Sequence, residues 1–164
     1  MAGNEAFIGL NAFEDDLESA TTTAVVEIAE GDAQVMDVEL FRREMVHRTT
    51  FRDLMHGYMH AFIESIMQSV LCNALHPVEK RYARCLLEVR DRVGGNEFPL
   101  TQDTLATMLG VRRASITLAA GTLHRAGLID HGHKRMVIRD PTGLEAACCE
   151  CYTVVKGHFA RLLS

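Results

Sequence analysis

The sequence contains no tryptophan, only three prolines and no long uninterrupted apolar run. Its most apolar stretch, residues 61–75, is broken by Glu64, Gln68 and Asn73, which excludes a membrane span. With 48% apolar and 24% charged residues, the composition is typical of a folded globular protein and excludes disordered and fibrous classes. No basic and then apolar leader is visible at the amino terminus, so we expect a cytoplasmic protein with no membrane partner.

Cysteines are few and odd in number, at positions 72, 85, 148, 149 and 151. Without a secretory leader they are interpreted as free thiols rather than as a disulfide framework. Cys148, Cys149 and Cys151 are interpreted as small buried thiols on a terminal helix, because three ligands so close together on one helix cannot complete a tetrahedral zinc site unaided. Redox sensing through Cys149 or Cys151 stays open as an alternative.

Catalytic patterns are also missing. We find no nucleophile–base pair, phosphate-binding loop or carboxylate pair with a defensible geometry, so we expect neither an enzyme nor a cofactor. His56 and His60 have a spacing that suits a metal, but no third ligand is evident, and we therefore expect no metal site.

Basic residues are scarce in the first part of the chain and concentrated later. Residues 1–77 have a net charge of −9, residues 78–139 of +5, and residues 140–164 of −1. A basic block inside an acidic chain is typical of a module that faces the phosphates of nucleic acid. Two independently solvated surfaces would explain the charge alone equally well.

The hydrophobic pattern changes period near residue 48. Residues 5–41 alternate short apolar runs with polar breaks, and the β-branched content of residues 21–28 predicts strands, too few to close a barrel. Residues 48–75 then predict one helix about 40 Å long with a wide apolar face. We expect this face to be a dimer seam, with packing on the strands as the alternative. The seam residues are Phe51, Met55, Tyr58, Phe62, Ile66 and Val70.

A second group of helices follows His76-Pro77. The pattern predicts a helix over residues 78–93 that ends at Gly94-Gly95, and then a short connector at residues 97–100. Thr101 can cap a helix over residues 102–109, Gly110 can form a turn, and a second helix covers residues 112–126. The small and apolar residues between positions 105 and 119 favour a helix-turn-helix, although an ordinary helical hairpin would use similar residues.

Two short strands are predicted directly after these helices, at residues 128–131 and 135–139 around Gly132-His133-Lys134. A basic hairpin in this place is typical of a winged helix-turn-helix. The second helix would enter the major groove of DNA, where an arginine fork can pair with guanine. For base contacts we predict Arg113 first, then Arg112, Ser115 and Thr117, and for phosphate contacts Thr101, Gln102, Lys134 and Arg135.

Several stretches carry a family resemblance: residues 75–81 (LHPVEKR), 100–102 (LTQ), 109–117 (LGVRRASIT), 119–123 (AAGTL), 126–129 (AGLI) and 143–152 (GLEAACCECY). Together they resemble the output half of the Crp/Fnr (cyclic-AMP receptor protein) family over residues 48–152. The resemblance implies a homodimer formed through the long helix, which binds a palindromic operator in double-stranded DNA and has RNA polymerase as a further partner.

The sensor half resembles the family poorly. Residues 6–10 (AFIGL) resemble the start of the ligand cassette, and only the last strands of a β-roll are expected, which indicates a truncated or divergent sensor. No Arg or Lys precedes Arg42 to pair a cyclic phosphate, so we expect no binding of cyclic AMP. The family's iron–sulfur branch uses amino-terminal cysteines, whereas the first cysteine here is Cys72. In the reading helix Ala114 and Leu118 replace a glutamate and an arginine of the best-known members.

The sequence therefore predicts an α+β protein with a partial β-roll (residues 1–47), a long dimerisation helix (48–75) and a winged helix-turn-helix domain with a terminal helix (76–164). The expected function is that of a homodimeric transcription regulator. One alternative is an interaction protein that heterodimerises with a full-length relative and modulates it. Another is a thiol or metal sensor.

Overall fold

The structure, a computed structural model, describes residues 3, 6–13, 28, 32–47, 49–132 and 135–162. Seven helices and three strands lie in this part of the chain. The helices are α1 (Val38–Val46), α2 (Thr50–Leu75), α3 (Val78–Val93), α4 (Gln102–Leu109), α5 (Arg113–Arg125), α6 (Pro141–Ala147) and α7 (Cys151–Leu162), and the strands are β1 (Glu97–Phe98), β2 (Ile129–His131) and β3 (Met136–Ile138). Among the described helices, none has both the length and the apolar character that a bilayer span requires.

The amino-terminal region differs from its sequence prediction. The strands expected at residues 21–28 fall outside the described residues except for Ile28, and a short 3₁₀ helix covers Leu10–Phe13. The strand-rich interpretation of residues 33–40 is wrong, because this run leads into α1. The Asp37 side chain caps α1 by accepting hydrogen bonds from the backbone N–H groups of Glu39 and Leu40, at 2.9 and 3.2 Å. A cap of this kind starts a helix where alternation alone suggested a strand.

The first half of α2 packs against this region of the same chain. Met55 and Tyr58 are buried with Phe41 of α1, and the Tyr58 hydroxyl donates a hydrogen bond to the Phe7 carbonyl at 3.2 Å. Phe159 of α7 covers the other side of this cluster. Two of the six predicted seam residues, Met55 and Tyr58, are therefore buried in the interior of one chain, and two more, Phe51 and Phe62, are partly buried against the same cluster.

The second half of α2 has an exposed apolar face. The predicted seam residues Ile66 and Val70 lie on it together with Ile63 and Met67, and all four side chains are exposed. The helix begins at Thr50, where the Thr49 hydroxyl caps it, close to the predicted start. The prediction of a long helix is confirmed. Its exposed apolar residues in this half include two of the predicted seam residues, Ile66 and Val70, and also Ile63 and Met67, which were not predicted for the seam.

The larger hydrophobic core lies in the carboxyl-terminal half and is centred on α3. Tyr82, Leu86 and Leu87 of this helix are fully buried against α5, α6 and the sheet. The helix ends at Gly94, which has the left-handed φ of 73° that glycine adopts without strain. The predicted bounds of α3 are confirmed at both ends.

The three strands form one small antiparallel sheet in the order β1-β3-β2. In its register Ile129 pairs with Ile138 and Glu97 with Val137. Ile129, Met136 and Ile138 are buried against the helices, so the sheet fixes the β2–β3 hairpin onto the helix-turn-helix. The α+β class and the carboxyl-terminal winged helix-turn-helix are thereby confirmed.

Candidate nucleic-acid interface

The helix-turn-helix is formed by α4 and α5. The Thr101 hydroxyl accepts a hydrogen bond from the Thr104 N–H at 3.1 Å and so caps α4, as the sequence predicts. Gly110 ends α4 with a φ of 62°, and the chain turns directly into α5. Leu105 and Ile116 are fully buried between the two helices and α3. The helices are therefore locked by apolar contacts, and the start of α5 is left on the surface.

A buried arginine stabilises the turn between α4 and α5. Arg81 of α3 is only 8% exposed and donates a hydrogen bond from Nη2 to the carbonyl of Leu109, the last residue of α4. A cation at a helix carboxyl terminus satisfies a carbonyl that has no partner within the helix and interacts favourably with the helix dipole. Sequence reasoning counted Arg81 only as part of the basic block, but its contact is a structural one.

The exposed side of α5 carries the predicted base-contacting residues. Arg112 is the N-cap residue and Arg113 the first helical residue, and both side chains are exposed. Arg113 Nε lies 3.4 Å from Asp103 Oδ1 of α4. Ser115 is half-buried, whereas Leu118, one turn further along, is 70% exposed. The helix thus presents two arginines and an apolar side chain on its free surface.

Thr117 and Gln102 hold the two helices together at this surface. The Thr117 hydroxyl lies 2.9 Å from Gln102 Oε1 and 3.2 Å from the Arg113 carbonyl, with donor geometry to both. Thr117, a predicted base contact, is therefore hydrogen-bonded to Gln102, a predicted phosphate contact. Both side chains lie beside Arg113 on the same surface.

The wing brings further cations to the same half of the molecule. Arg135 forms an ion pair with Glu97, and Arg139 forms one with Asp130 at 3.0 Å. The hydrogen bond from Arg139 lowers the pKa of the Asp130 carboxyl. The backbone of the hairpin closes through Gly132 N–H and the Arg135 carbonyl at 2.8 Å. Lys134, a predicted phosphate contact, and His133 lie outside the described residues.

The basic block of residues 78–139 is thus not one uniform surface. Besides Arg81, Arg84 is largely buried and pairs with Glu88 at 3.3 Å, and Arg90 bonds Asn96 at 2.8 Å. These cations stabilise α3 and its surroundings. Within the described part of the block, the exposed arginines are Arg112, Arg113, Arg125, Arg135 and Arg139.

The carboxyl-terminal cysteines do not lie on one helix, which corrects the sequence interpretation. α6 ends at Ala147, Cys148 and Cys149 lie in the break, and Cys151 is the first residue of α7. Cys149 and Cys151 are buried beside Cys72 of α2. Burial raises the pKa of Cys72 to about 12 and that of Cys148 to about 11.

Sequence reasoning missed this meeting of α2 with the break. Cys72 and His76 are spaced i, i+4 at the end of a helix, a spacing that places two ligand side chains on one face. That spacing, together with the Cys-x-Cys pattern at 149–151, was the available signal. Neither pattern contains a complete set of ligands, and only the fold shows that they meet.

Comparison with known proteins identifies the domain that contains the helix-turn-helix and the wing. Residues 80–147 match the Crp-like helix-turn-helix domain. No curated protein shows a significant match to the chain. The resemblance to Crp/Fnr regulators is confirmed for this domain, which contains α4, α5 and the wing.

The solved structures that are similar to the chain include two transcription regulators. A protein assigned to the Crp/Fnr family of transcriptional regulators, from Eubacterium rectale, is 24% identical with a TM-score of 0.55, and the match covers 67% of this chain and 51% of that one. This likeness shows a shared fold. The CO-dependent transcription factor CooA from Carboxydothermus hydrogenoformans, in its imidazole-bound form, is 16% identical with a TM-score of 0.42, covering 69% of this chain and 56% of that one, and is too distant to support an argument. The chain spans about half the length of either structure.

Proposed function

We propose that this chain, which contains a Crp-like helix-turn-helix domain, is a DNA-binding transcription regulator of the Crp/Fnr type that acts as a homodimer on a palindromic operator. The observation that carries the proposal is the exposed amino-terminal end of α5. It is held at the surface by α4 and lies within the residues that match the domain. A helix presented in this way can place its first residues against base edges in the major groove.

Arg113 is the main base-reading residue in this proposal. Its guanidinium can make two hydrogen bonds to guanine O6 and N7, which contribute about 1–3 kcal/mol of discrimination. The present partner of Arg113 is the exposed carboxylate of Asp103, and an exposed ion pair contributes only about 0–1 kcal/mol. Exchange of the carboxylate for guanine therefore favours the complex.

Leu118 gives the same helix an apolar contact. Its side chain is 70% exposed on a surface otherwise made of polar groups, and Ala114 is exposed one turn before it. Apolar side chains in the major groove contact the C5-methyl group of thymine. We therefore propose that the operator half-site combines a guanine for Arg113 with a neighbouring thymine for Leu118.

The exposed face of α2 supports dimerisation. Ile63, Ile66 and Val70 follow one another on it at spacings of three and four, and the half-buried Met59 lies four residues before Ile63. This is the heptad spacing of a two-stranded coiled coil, in which each helix covers the other. A symmetric dimer presents two copies of α5, which explains why a palindromic site is expected. Residues 1–41 contain no Arg or Lys to pair a cyclic phosphate, so cyclic AMP is not part of the proposal.

The test begins with selection of preferred duplexes from a random pool at fixed salt, followed by fluorescence anisotropy on the preferred and scrambled sequences. Arg113→Ala is expected to reduce the preference by about five- to 150-fold, which corresponds to the 1–3 kcal/mol of one bidentate contact. Arg125→Ala, at the far end of the same helix, is the matched control and should keep the preference. An unchanged preference in Arg113→Ala would show that Arg113 does not read bases.

A further inference from the structure

Four side chains with metal-binding atoms converge where the end of α2 meets the break between α6 and α7. We call them the Cys3His cluster; its members are Cys72, His76, Cys149 and Cys151. Their three sulfurs and the imidazole nitrogen all lie within 4.8 Å of one another. The three cysteines are buried and His76 is half-buried, so the ligand atoms face the interior and not the solvent.

We propose that the Cys3His cluster binds one tetrahedrally coordinated divalent cation, and that Zn²⁺ is the cation that fits it best. Zinc binds cysteine sulfur at about 2.3 Å and histidine nitrogen at about 2.0 Å, with four ligands in closed structural sites. The edges of a tetrahedron with such bonds are about 3.5–3.8 Å long. Cys72 Sγ lies 3.6 Å from Cys149 Sγ, and Cys151 Sγ lies 3.5 Å from His76 Nδ1. Two of the six ligand–ligand distances therefore match the edges of a tetrahedral site, and the other four are no longer than 4.8 Å.

The surroundings of His76 are those of a metal-binding imidazole. Nδ1 faces the cluster, while Nε2 lies 3.3 Å from Oε1 of Glu150. A carboxylate on the distal nitrogen fixes the ring orientation and raises the basicity of the nitrogen that binds the metal. Glu150 lies between two of the ligating cysteines in sequence, so the same break supplies ligands and a positioning residue.

Charge near the cluster is also suitable. Zn²⁺ displaces the protons of three thiols to solvent, which leaves a site with a net charge of −1. The guanidinium of Arg84 is largely buried nearby, and its Nη1 has no hydrogen-bond partner among the described residues. Gln68 Nε2, at 3.0 Å from Cys151 Sγ, provides a further donor.

The bound cation would connect two parts of the fold that are far apart in sequence. Cys72 belongs to the long helix and His76 is its C-cap residue, whereas Cys149 and Cys151 lie where α6 gives way to α7. A metal bound by both parts would fix α7 against α2. It would also set the angle between α2 and the helix-turn-helix domain. This site is independent of the DNA-binding proposal, because its test requires no DNA.

The test uses the full chain, purified under reducing conditions with zinc in the growth medium. We expect one zinc per chain by elemental analysis. Replacement by Co²⁺ should give the intense visible bands of a tetrahedral cobalt–thiolate site together with a near-ultraviolet sulfur-to-cobalt band. Cys149→Ser is expected to lose both the stoichiometric zinc and the sulfur-to-cobalt intensity of one thiolate.

Cys148→Ser is the matched control, because Cys148 adjoins the cluster in sequence but its Sγ donates to the Cys149 carbonyl instead. It should retain one zinc and the full cobalt spectrum. Since Cys149→Ser also changes a buried side chain, Glu150→Gln provides a milder variant, whose zinc affinity is expected to fall about tenfold because the negative charge beside His76 is lost.

Three outcomes would overturn the proposal. The first is reduced wild-type protein with no stoichiometric zinc and no tetrahedral cobalt spectrum. The second is equal loss of metal in Cys148→Ser and Cys149→Ser. The third is a Cys72–Cys149 disulfide in protein that binds no metal after reduction, which would identify the cluster as a redox pair.

Discussion

The exposed apolar face of α2 makes the dimer testable with a single substitution. Ile66 is 47% exposed in the single chain, so about half of its side chain remains to be covered by a partner. Full burial of an isoleucine stabilises by about 1.5–3 kcal/mol, so that remaining half contributes about 1 kcal/mol per chain. In a symmetric dimer both copies lose it, about 2 kcal/mol in total, and a carboxylate placed in the seam costs more. We therefore expect Ile66→Glu to raise the dimer dissociation constant at least about 30-fold.

Sedimentation velocity over a range of concentrations measures this shift. Leu54→Glu is the matched control, because Leu54 is 44% exposed on the same helix but lies nine residues before Ile63, about two and a half turns away, and so on the opposite side. Circular dichroism should show both variants folded. Equal dissociation in the two variants, an Ile66→Glu dimer as tight as the wild type, or a monomeric wild type would refute the reasoning.

Three further substitutions test the stability of the carboxyl-terminal half of the chain. Arg81→Met removes the hydrogen bond to the Leu109 carbonyl, and we expect urea denaturation to show a loss of about 1–3 kcal/mol; an unchanged midpoint would show that the buried contact contributes nothing. Gly143→Ala would place a Cβ 2.6 Å from Leu128 Cδ2, so a loss of about 1–3 kcal/mol is expected in the same assay. A Cβ added at Gly157 in α7 meets no atom within 4 Å, so Gly157→Ala should instead stabilise the protein by about 0.5–1 kcal/mol. If both alanine variants changed the free energy of unfolding in the same direction, the packing argument would be contradicted.

The elements of the carboxyl-terminal half could be predicted because their limits are set locally. Thr101 caps α4, Gly94 and Gly110 end helices with a left-handed backbone, and each signal acts within one turn of chain. Such signals depend little on the rest of the fold. The helix-turn-helix and the two strands of the wing therefore followed from sequence patterns alone, whereas the pairing of β1 with β3 did not.

Features set by distant contacts could not be predicted in this way. The apolar stripe on α2 gave no indication that Met55 and Tyr58 face α1 and Phe7 of the same chain, since periodicity identifies an apolar face but not its occupant. Likewise, the sum of charges in residues 78–139 did not separate Arg81, buried under α4, from Arg113 at the surface. The Cys3His cluster is a third case, because its two halves are separated by more than seventy residues.

The ion pairs of the exposed arginines that we propose to face DNA would affect how such a regulator searches a genome. Three exposed arginines each have a carboxylate of the same domain beside them: Arg113 with Asp103, Arg135 with Glu97, and Arg139 with Asp130. On a random duplex these arginines exchange a carboxylate partner for a phosphate partner. Because one anion replaces another, the gain in binding free energy is small. The correct half-site adds guanine and thymine contacts that no carboxylate can imitate. Pairing of these arginines with carboxylates of their own domain would therefore shorten the residence time of the protein on unrelated DNA, while the operator complex keeps its base contacts.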